Sequence, residues 1–193
     1  DKRTIYCVLS KPISRNEYII GKYLGLLALV IVSLALLTAF SSGVMALVKT
    51  TYPATYFKTF SWACYFQALG YQILMLAILN AVVIFFSSIS TSSFLTFLSA
   101  IAVYIAGQTI EEVIRFFKNE AASEGVSSQV NQWVVVAAQY VFPNFSAFDI
   151  KTLAAHGKLL PAGHTLAVMG YGLIYTLLLL FVASLIFNKR EFH

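Results

Sequence analysis

The sequence predicts an all-α fold, a polytopic bundle of four transmembrane helices in a single domain that covers residues 1–193. Hydrophobic residues make up 59% of the chain and charged residues only 11%, with a mean hydropathy of +0.79, whereas soluble proteins carry about 25% charged residues. Charged residues are absent from three long stretches, 23–48, 59–110 and 159–188. These stretches also lack the apolar and polar alternation of membrane strands. The chain is therefore predicted to cross the membrane as helices.

The lengths of the charge-free stretches set the number of crossings. A helix needs about 20 apolar residues to cross a bilayer, so 23–48 and 159–188 each supply one crossing. The middle stretch, 59–110, would form a single helix of roughly 78 Å, so we expect it to fold back at the polar run Ser87–Ser93. We predict spans at about 20–48, 60–86, 92–110 and 163–187.

The leader, residues 1–18, predicts a helix with a well-defined start. Ser14 and Glu17 match the capping box, in which each side chain accepts a hydrogen bond from the backbone amide of the other residue. Pro12 keeps Lys11 out of helical geometry and ends any helix before it. The leader is therefore expected to form a short helix over 2–10, a turn, and a capped helix that enters the membrane.

The longest segment outside the predicted spans is 111–161. Glu111 and Arg115 lie four residues apart, a spacing that supports a helical turn. The apolar run 130–142 is too short to cross, and Trp133 and Tyr140 are typical of residues at the lipid headgroups. We expect an interfacial or re-entrant helix there.

Basic residues predict the orientation. If there are four spans, the seven lysines and arginines of the leader and the tail share one side of the membrane, while six are spread over the other side. Because short basic segments stay in the cytoplasm, both ends of the chain are expected to be cytoplasmic, in the inner membrane of a bacterial or archaeal cell.

Polar side chains within the spans have two interpretations. Gln67 and Tyr71 share a face of the second span, and Tyr104 and Gln108 share a face of the third. They can form interhelical hydrogen bonds or, together with Asn80, line a substrate path.

Gly21 and Gly25 form a small-x-x-x-small pair at the start of the first span. Such a pair allows helices to approach closely. Packing on a neighbouring helix is favoured over a dimer seam, because the pair lies at the very start of the span.

The leader sequence over Arg3–Gly25, RTIYCVLSKPISRNEYIIGKYLG, resembles the cytoplasmic loop and following helix of ABC-2 type ABC transporter permeases. It is most similar to the branch named for multicopper-enzyme maturation, which includes the permease of the nitrous oxide reductase accessory system. The stretches Phe142–Asp149 and Ile186–Glu191 agree with the family. Arg3 departs from it, since the family usually has glycine before Thr4.

The resemblance implies a permease that couples ATP hydrolysis by a separate ATPase subunit to movement of a substrate, by analogy export. The four spans would be the third to sixth of six, so the chain is expected to be a fragment without the first two. Such permeases pair, here most simply as a homodimer, and a cytoplasmic coupling helix rests on each ATPase. In this sequence the resemblance assigns the contacts with the ATPase to Arg3, Tyr6, Ser10, Lys11 and Arg15. It assigns a rigid turn to Pro12, Ser14 and Glu17.

The sequence contains no Gly-x-x-x-x-Gly-Lys-Ser/Thr phosphate loop, so we expect the chain not to be an enzyme. ATP and magnesium would be bound by the partner ATPase, and this chain is expected to bind no cofactor, metal or nucleic acid, with the lipid bilayer as its surroundings. One alternative is a membrane anchor or assembly protein without transport. Another is an intramembrane protease, for which Glu111, Glu112 and Arg115 are one residue short of the required spacing. His156 and His164 alone are poor evidence for copper.

Overall fold

The computed structural model describes residues 14–57, 59–123 and 142–189. Within them lie four long helices, α1 (Arg15–Thr51), α2 (Trp62–Ile89), α3 (Ser93–Ser123) and, after the short helix α4 (Lys151–Ala155), α5 (Ala162–Lys189). Single 3-10 turns lie at Ala54–Phe57 and Ser146–Phe148. This described part contains no strand, and each long helix is long and apolar enough to cross a membrane. The predicted four-helix membrane bundle is confirmed.

The long helices form an up-and-down bundle around α2, which packs against α1, α3 and α5. Ser90 Oγ accepts a hydrogen bond from the amide of Ser92 at 3.2 Å in the tight turn between α2 and α3, inside the polar run where a turn was predicted. The joint end is our name for the end of the bundle at which α1 and α3 begin and at which α2 and α5 end. The opposite end is the loop end.

Helix α3 continues past the residue at which the third span was expected to stop. Glu111 and Arg115 are charged, yet the backbone stays helical through Ser123. Arg115 Nη2 donates to Glu111 Oε1 at 2.6 Å, which is the pair predicted from their spacing. The segment predicted to be external therefore starts as part of α3. The expected helix over 2–10, and all but the last residue of the one over 130–142, lie outside the described residues.

Two groups of buried residues hold the bundle together, one at each end. The loop-end core consists of Tyr71, Met75, Ile78, Phe145, Phe148, Ile150 and Val168. The joint-end core consists of Ile19, Tyr23, Ala81, Ile84 and Ala183. The joint-end core thus contains residues of α1, α2 and α5, whereas the loop-end core contains no residue of α1.

Helix α1 is most deeply buried near its start. Ile19 and Tyr23 are buried, but in the 18-residue membrane-spanning window of α1 no residue is buried. Leu36 and Phe40 in its middle are 68% and 74% exposed. At its far end the ammonium of Lys49 lies 4.4 Å from the ring centroid of Phe60, a cation–π contact. The middle of α1 therefore has an unpartnered apolar surface within the described residues.

Candidate functional site

The start of α1 is fixed by the predicted capping box. The amide of Ser14 donates to Glu17 Oε2 at 2.9 Å, and the amide of Glu17 donates to Ser14 Oγ at 3.3 Å. Two amides that no helical carbonyl can reach are thereby satisfied. A serine cap of this kind is worth about 1 kcal/mol. The first turn of α1 is consequently well ordered.

Asn16 connects this first turn to the end of α5. Its Oδ1 accepts hydrogen bonds from Ser184 Oγ and Asn188 Nδ2, both at 2.7 Å. In the same turn the rings of Tyr18 and Phe187 stack with centroids 5.8 Å apart. The sequence analysis did not single out Asn16. The available signal was the four-residue spacing of Ser184 and Asn188, which puts two polar groups on one face of the last span.

The next turn of α1 connects to α2. Tyr23 is buried, and its hydroxyl donates to the carbonyl of Ala77 at 3.4 Å. The ammonium of Lys22 lies 3.4 Å from Ser87 Oγ near the end of α2. Within three turns, therefore, α1 is bound to both α5 and α2. We call residues 14–23 together with their partners on α2 and α5 the joint.

The structure describes only part of the predicted coupling segment. Arg3, Tyr6, Ser10, Lys11 and Pro12 lie outside the described residues, and Arg15 is described only as the first residue of α1. Ser14 and Glu17 are placed together as predicted.

Gly21 and Gly25 do not pack on a neighbouring helix in the described part of this chain. A Cβ atom added at either position would meet no heavy atom within 4 Å. No helix in the described part of the chain approaches them closely, and their packing on a neighbouring helix stays a prediction. The reason is geometric, because Ile19 and Tyr23 turn the opposite face of α1 toward α2 and α5.

Gln67 and Tyr71 form interhelical hydrogen bonds at the loop end. Gln67 Nε2 donates to the carbonyl of Leu160 at 3.1 Å and to Thr165 Oγ1 at 3.2 Å, and Gln67 Oε1 accepts from the amide of Leu160 at 3.1 Å. Tyr71 donates to the same Thr165 Oγ1 at 3.2 Å. These bonds hold the start of α5 against α2, so the interhelical interpretation applies to both residues.

The other predicted path residues lie elsewhere. Gln108 Nε2 lies 3.4 Å from the hydroxyl of Tyr104 and 3.7 Å from Met75 Sδ. Asn80 Nδ2 is buried without a hydrogen-bond partner in the described part of the chain. A groove of about 300 Å³ between α2 and α3 is lined by Tyr104, but not by Gln67, Tyr71, Asn80 or Gln108. This groove therefore does not bring the five predicted residues together.

A feature that the sequence analysis missed is a segment that folds into the bundle at the loop end. Pro143 and Phe145 are buried, and the amide of Phe145 donates to the carbonyl of Gly107 on α3 at 3.1 Å. A Cβ atom on Gly107 would overlap the carbonyl oxygen of Pro143 and lie 2.5 Å from Phe145 Cδ2. Only glycine fits this approach. We call residues 143–150 the wedge.

Polar contacts hold the wedge to α3 and α5. Ser146 Oγ lies 2.8 Å from Glu111 Oε2 and 2.6 Å from Asn144 Oδ1. The amide of Asn144 donates to the hydroxyl of Tyr171 at 3.0 Å. Glu111 thus contacts Arg115 and the hydroxyl of Ser146, and both contacts hold the structure together. No group of three or more metal-binding side chains occurs in the described ranges.

The long apolar helices and the polar contacts at their two ends define a multi-pass helical membrane protein. The family model of ABC-2 family transporter proteins matches residues 1–192. The chain therefore belongs to this family, as its leader sequence predicted, and is a permease of the ABC transporter type. Such permeases are generally non-enzymatic membrane subunits that work with an ABC ATPase. No curated protein and no solved structure matches the chain significantly.

Proposed function

We propose that this permease receives motion from a separate ABC ATPase subunit through residues 1–18 and passes it through the joint to the rest of the bundle. The observation that carries the proposal is that α1 is bound to both α2 and α5 within its first three turns, where Ile19 and Tyr23 are buried. Displacing the start of α1 would displace two other helices with it. Packed helices switch between discrete arrangements in this way.

The contacts of the joint suit the transmission of force. The capping box prevents the first turn from fraying. Asn16 and Tyr18 then fix the position of that turn on α5, while Tyr23 fixes the following turn on α2. Interhelical hydrogen bonds in membranes are worth about 0.6 kcal/mol each on average, so the joint depends on several contacts acting together.

The remaining features of the proposed transporter follow from charge and from the family. The joint end faces the cytoplasm, since the basic leader precedes it and Lys189 and Arg190 follow the last predicted span. The partner ATPase binds ATP and magnesium, two permease copies pair in the inner membrane, and the direction is export. A reporter fused after residue 193 and found outside the cell would contradict this orientation.

The test of coupling replaces Asn16 by alanine in the full-length permease, reconstituted with its ATPase subunit. Because Asn16→Ala removes both hydrogen bonds to α5, we expect the permease-dependent change in ATP hydrolysis to fall about fivefold, the effect of losing about 1 kcal/mol. The ATPase should still copurify. The matched control is Ser42→Ala, since among the described residues the Ser42 hydroxyl bonds only to the carbonyl of Ala39 in its own helix, at 2.9 Å.

Two results would contradict the proposal. One is ATP hydrolysis by Asn16→Ala that responds to the permease as in the wild type. The other is an equal loss in Ser42→Ala, which would show that α1 is sensitive to any change and that the joint has no special part. Failure of both variants to enter the membrane would be visible as loss of the protein from the membrane fraction.

A further inference from the structure

A cleft of about 310 Å³ lies at the joint end between α1, α2 and α3. It is lined by Lys22, by hydroxyl side chains of the Ser87–Ser93 run and by Thr96. No carboxylate of the described part of the chain lines it. Its one lysine forms no ion pair within residues 14–57, 59–123 and 142–189. The cleft is therefore a positively charged, hydroxyl-rich space.

Lys22 lies at the boundary of the membrane, immediately before the charge-free stretch 23–48. Its ammonium has three donors, and the 3.4 Å contact with Ser87 Oγ occupies one of them. Donors on a flexible lysine and several hydroxyl groups remain to bind the oxygens of an anion. The first turn of α3 also borders the cleft, so the positive end of its helix dipole adds to the attraction.

A second groove, of about 300 Å³, adjoins this cleft and is predominantly apolar. The two spaces share Val83, Phe97 and Ala100 in their walls. The groove continues between α2 and α3 toward Tyr104. Phe97 and Ile101 on its wall are 65% and 37% exposed, so the groove is open toward the surroundings of the bundle. A polar space and an apolar groove are thus joined along one surface.

We propose that the cleft and the groove together bind one acidic phospholipid, with its phosphate group at Lys22 and one acyl chain in the groove between α2 and α3. A zwitterionic lipid carries its own cation, which would lie beside Lys22 without compensation. A free phosphate would leave the apolar groove empty. An acidic phospholipid matches both halves, because it combines a net negative headgroup with an apolar tail. The inference does not depend on coupling through the joint.

The test is native mass spectrometry of the full-length permease in detergent, supplied with equal amounts of phosphatidylglycerol and phosphatidylcholine of the same acyl chains. We expect the wild type to retain phosphatidylglycerol about fivefold more than phosphatidylcholine, the factor for one basic side chain at an anionic surface. Lys22→Met should reduce the ratio to near one. The control Lys49→Met, at the loop end beside Phe60, should keep it.

A competition experiment distinguishes binding of the whole lipid from binding of its phosphate headgroup alone. Millimolar glycerol phosphate, which has the charge but no acyl chain, should leave the retained phosphatidylglycerol unchanged. If it displaces the lipid completely, the site takes a soluble phosphate and the proposal is overturned. The proposal is also overturned if the wild type shows no preference for phosphatidylglycerol, or if Lys22→Met keeps the wild-type ratio.

Discussion

Replacing Gly107 by alanine should destabilise the protein, although the same change stabilises most helices. In an exposed helix interior, glycine to alanine gains about 1 kcal/mol because alanine is the better helix former. At Gly107 the new methyl group would overlap the Pro143 carbonyl oxygen and the ring of Phe145. Neither group can rotate away, since one is backbone and the other is the ring of a fully buried side chain. The wedge must therefore move.

The size of the effect follows from what that movement breaks. Overpacking a close contact costs about 1–3 kcal/mol. The hydrogen bond from the Phe145 amide to the Gly107 carbonyl, 3.1 Å long, would also be lost, and an unsatisfied buried amide costs about 1–3 kcal/mol. After subtraction of the gain in helix propensity, we expect the free energy of unfolding to fall by about 3 kcal/mol. For a chain of this size that lowers Tm by about 6–12 °C.

The assay uses Cys64, which is 1% exposed in α2. With Cys7 replaced by serine, a thiol-reactive fluorophore reports unfolding in detergent as Cys64 becomes accessible on heating. The matched control is Gly70→Ala in α2, the helix that contains Cys64, because a Cβ atom at Gly70 meets nothing within 4 Å. We expect Gly70→Ala to keep or raise Tm. The reasoning is refuted if Gly107→Ala has a Tm at or above that of the wild type.

Two further variants test other contacts at the loop end, both in the same thermal assay. Gln67→Leu loses three hydrogen bonds, so its free energy of unfolding should fall by about 2 kcal/mol. Gln72→Leu on the same helix, with no such bond in the described part, should lose much less, and equal losses would refute the role of the bonds. Gly157→Ala should lower Tm because Gly157 has φ of 67° and its added Cβ would overlap the Thr59 carbonyl oxygen. Gly163→Ala should leave Tm unchanged, because its added atom meets nothing within 4 Å. If Gly157→Ala also leaves Tm unchanged, the turn at Gly157 adapts to a side chain and the prediction is wrong.

The features of the fold that sequence reasoning predicted are those set by local pattern. Four membrane helices follow from where charge is absent, and the capping box follows from Ser14 and Glu17 standing three residues apart. The end of α3 was harder to predict, because Glu111 and Arg115 resemble the start of a loop. They are instead the two members of a pair inside the helix.

The contacts that sequence reasoning missed depend on residues far apart in the chain. Asn16 and Ser184 are separated by 168 positions, and their meeting requires α1 and α5 to lie antiparallel. Two of the three hydrogen bonds of Gln67 go to the backbone of Leu160, which no side chain signals in the sequence. Gly107 likewise shows its importance only once the wedge lies against α3. The family resemblance compensated for part of this, since it marked Phe142–Asp149, the stretch that contains most of the wedge.

Because the buried residues of α1 lie near its start, a small tilt there would produce a larger displacement at its far end. About 24 residues separate Leu24, just past the joint, from Val48, a rod of roughly 36 Å. A tilt of about 10° at the joint would swing the far end of that rod by roughly 6 Å. That distance exceeds the 4.4 Å between the Lys49 ammonium and the Phe60 ring. A slight rotation on one side of the membrane would thus break a cation–π contact on the other.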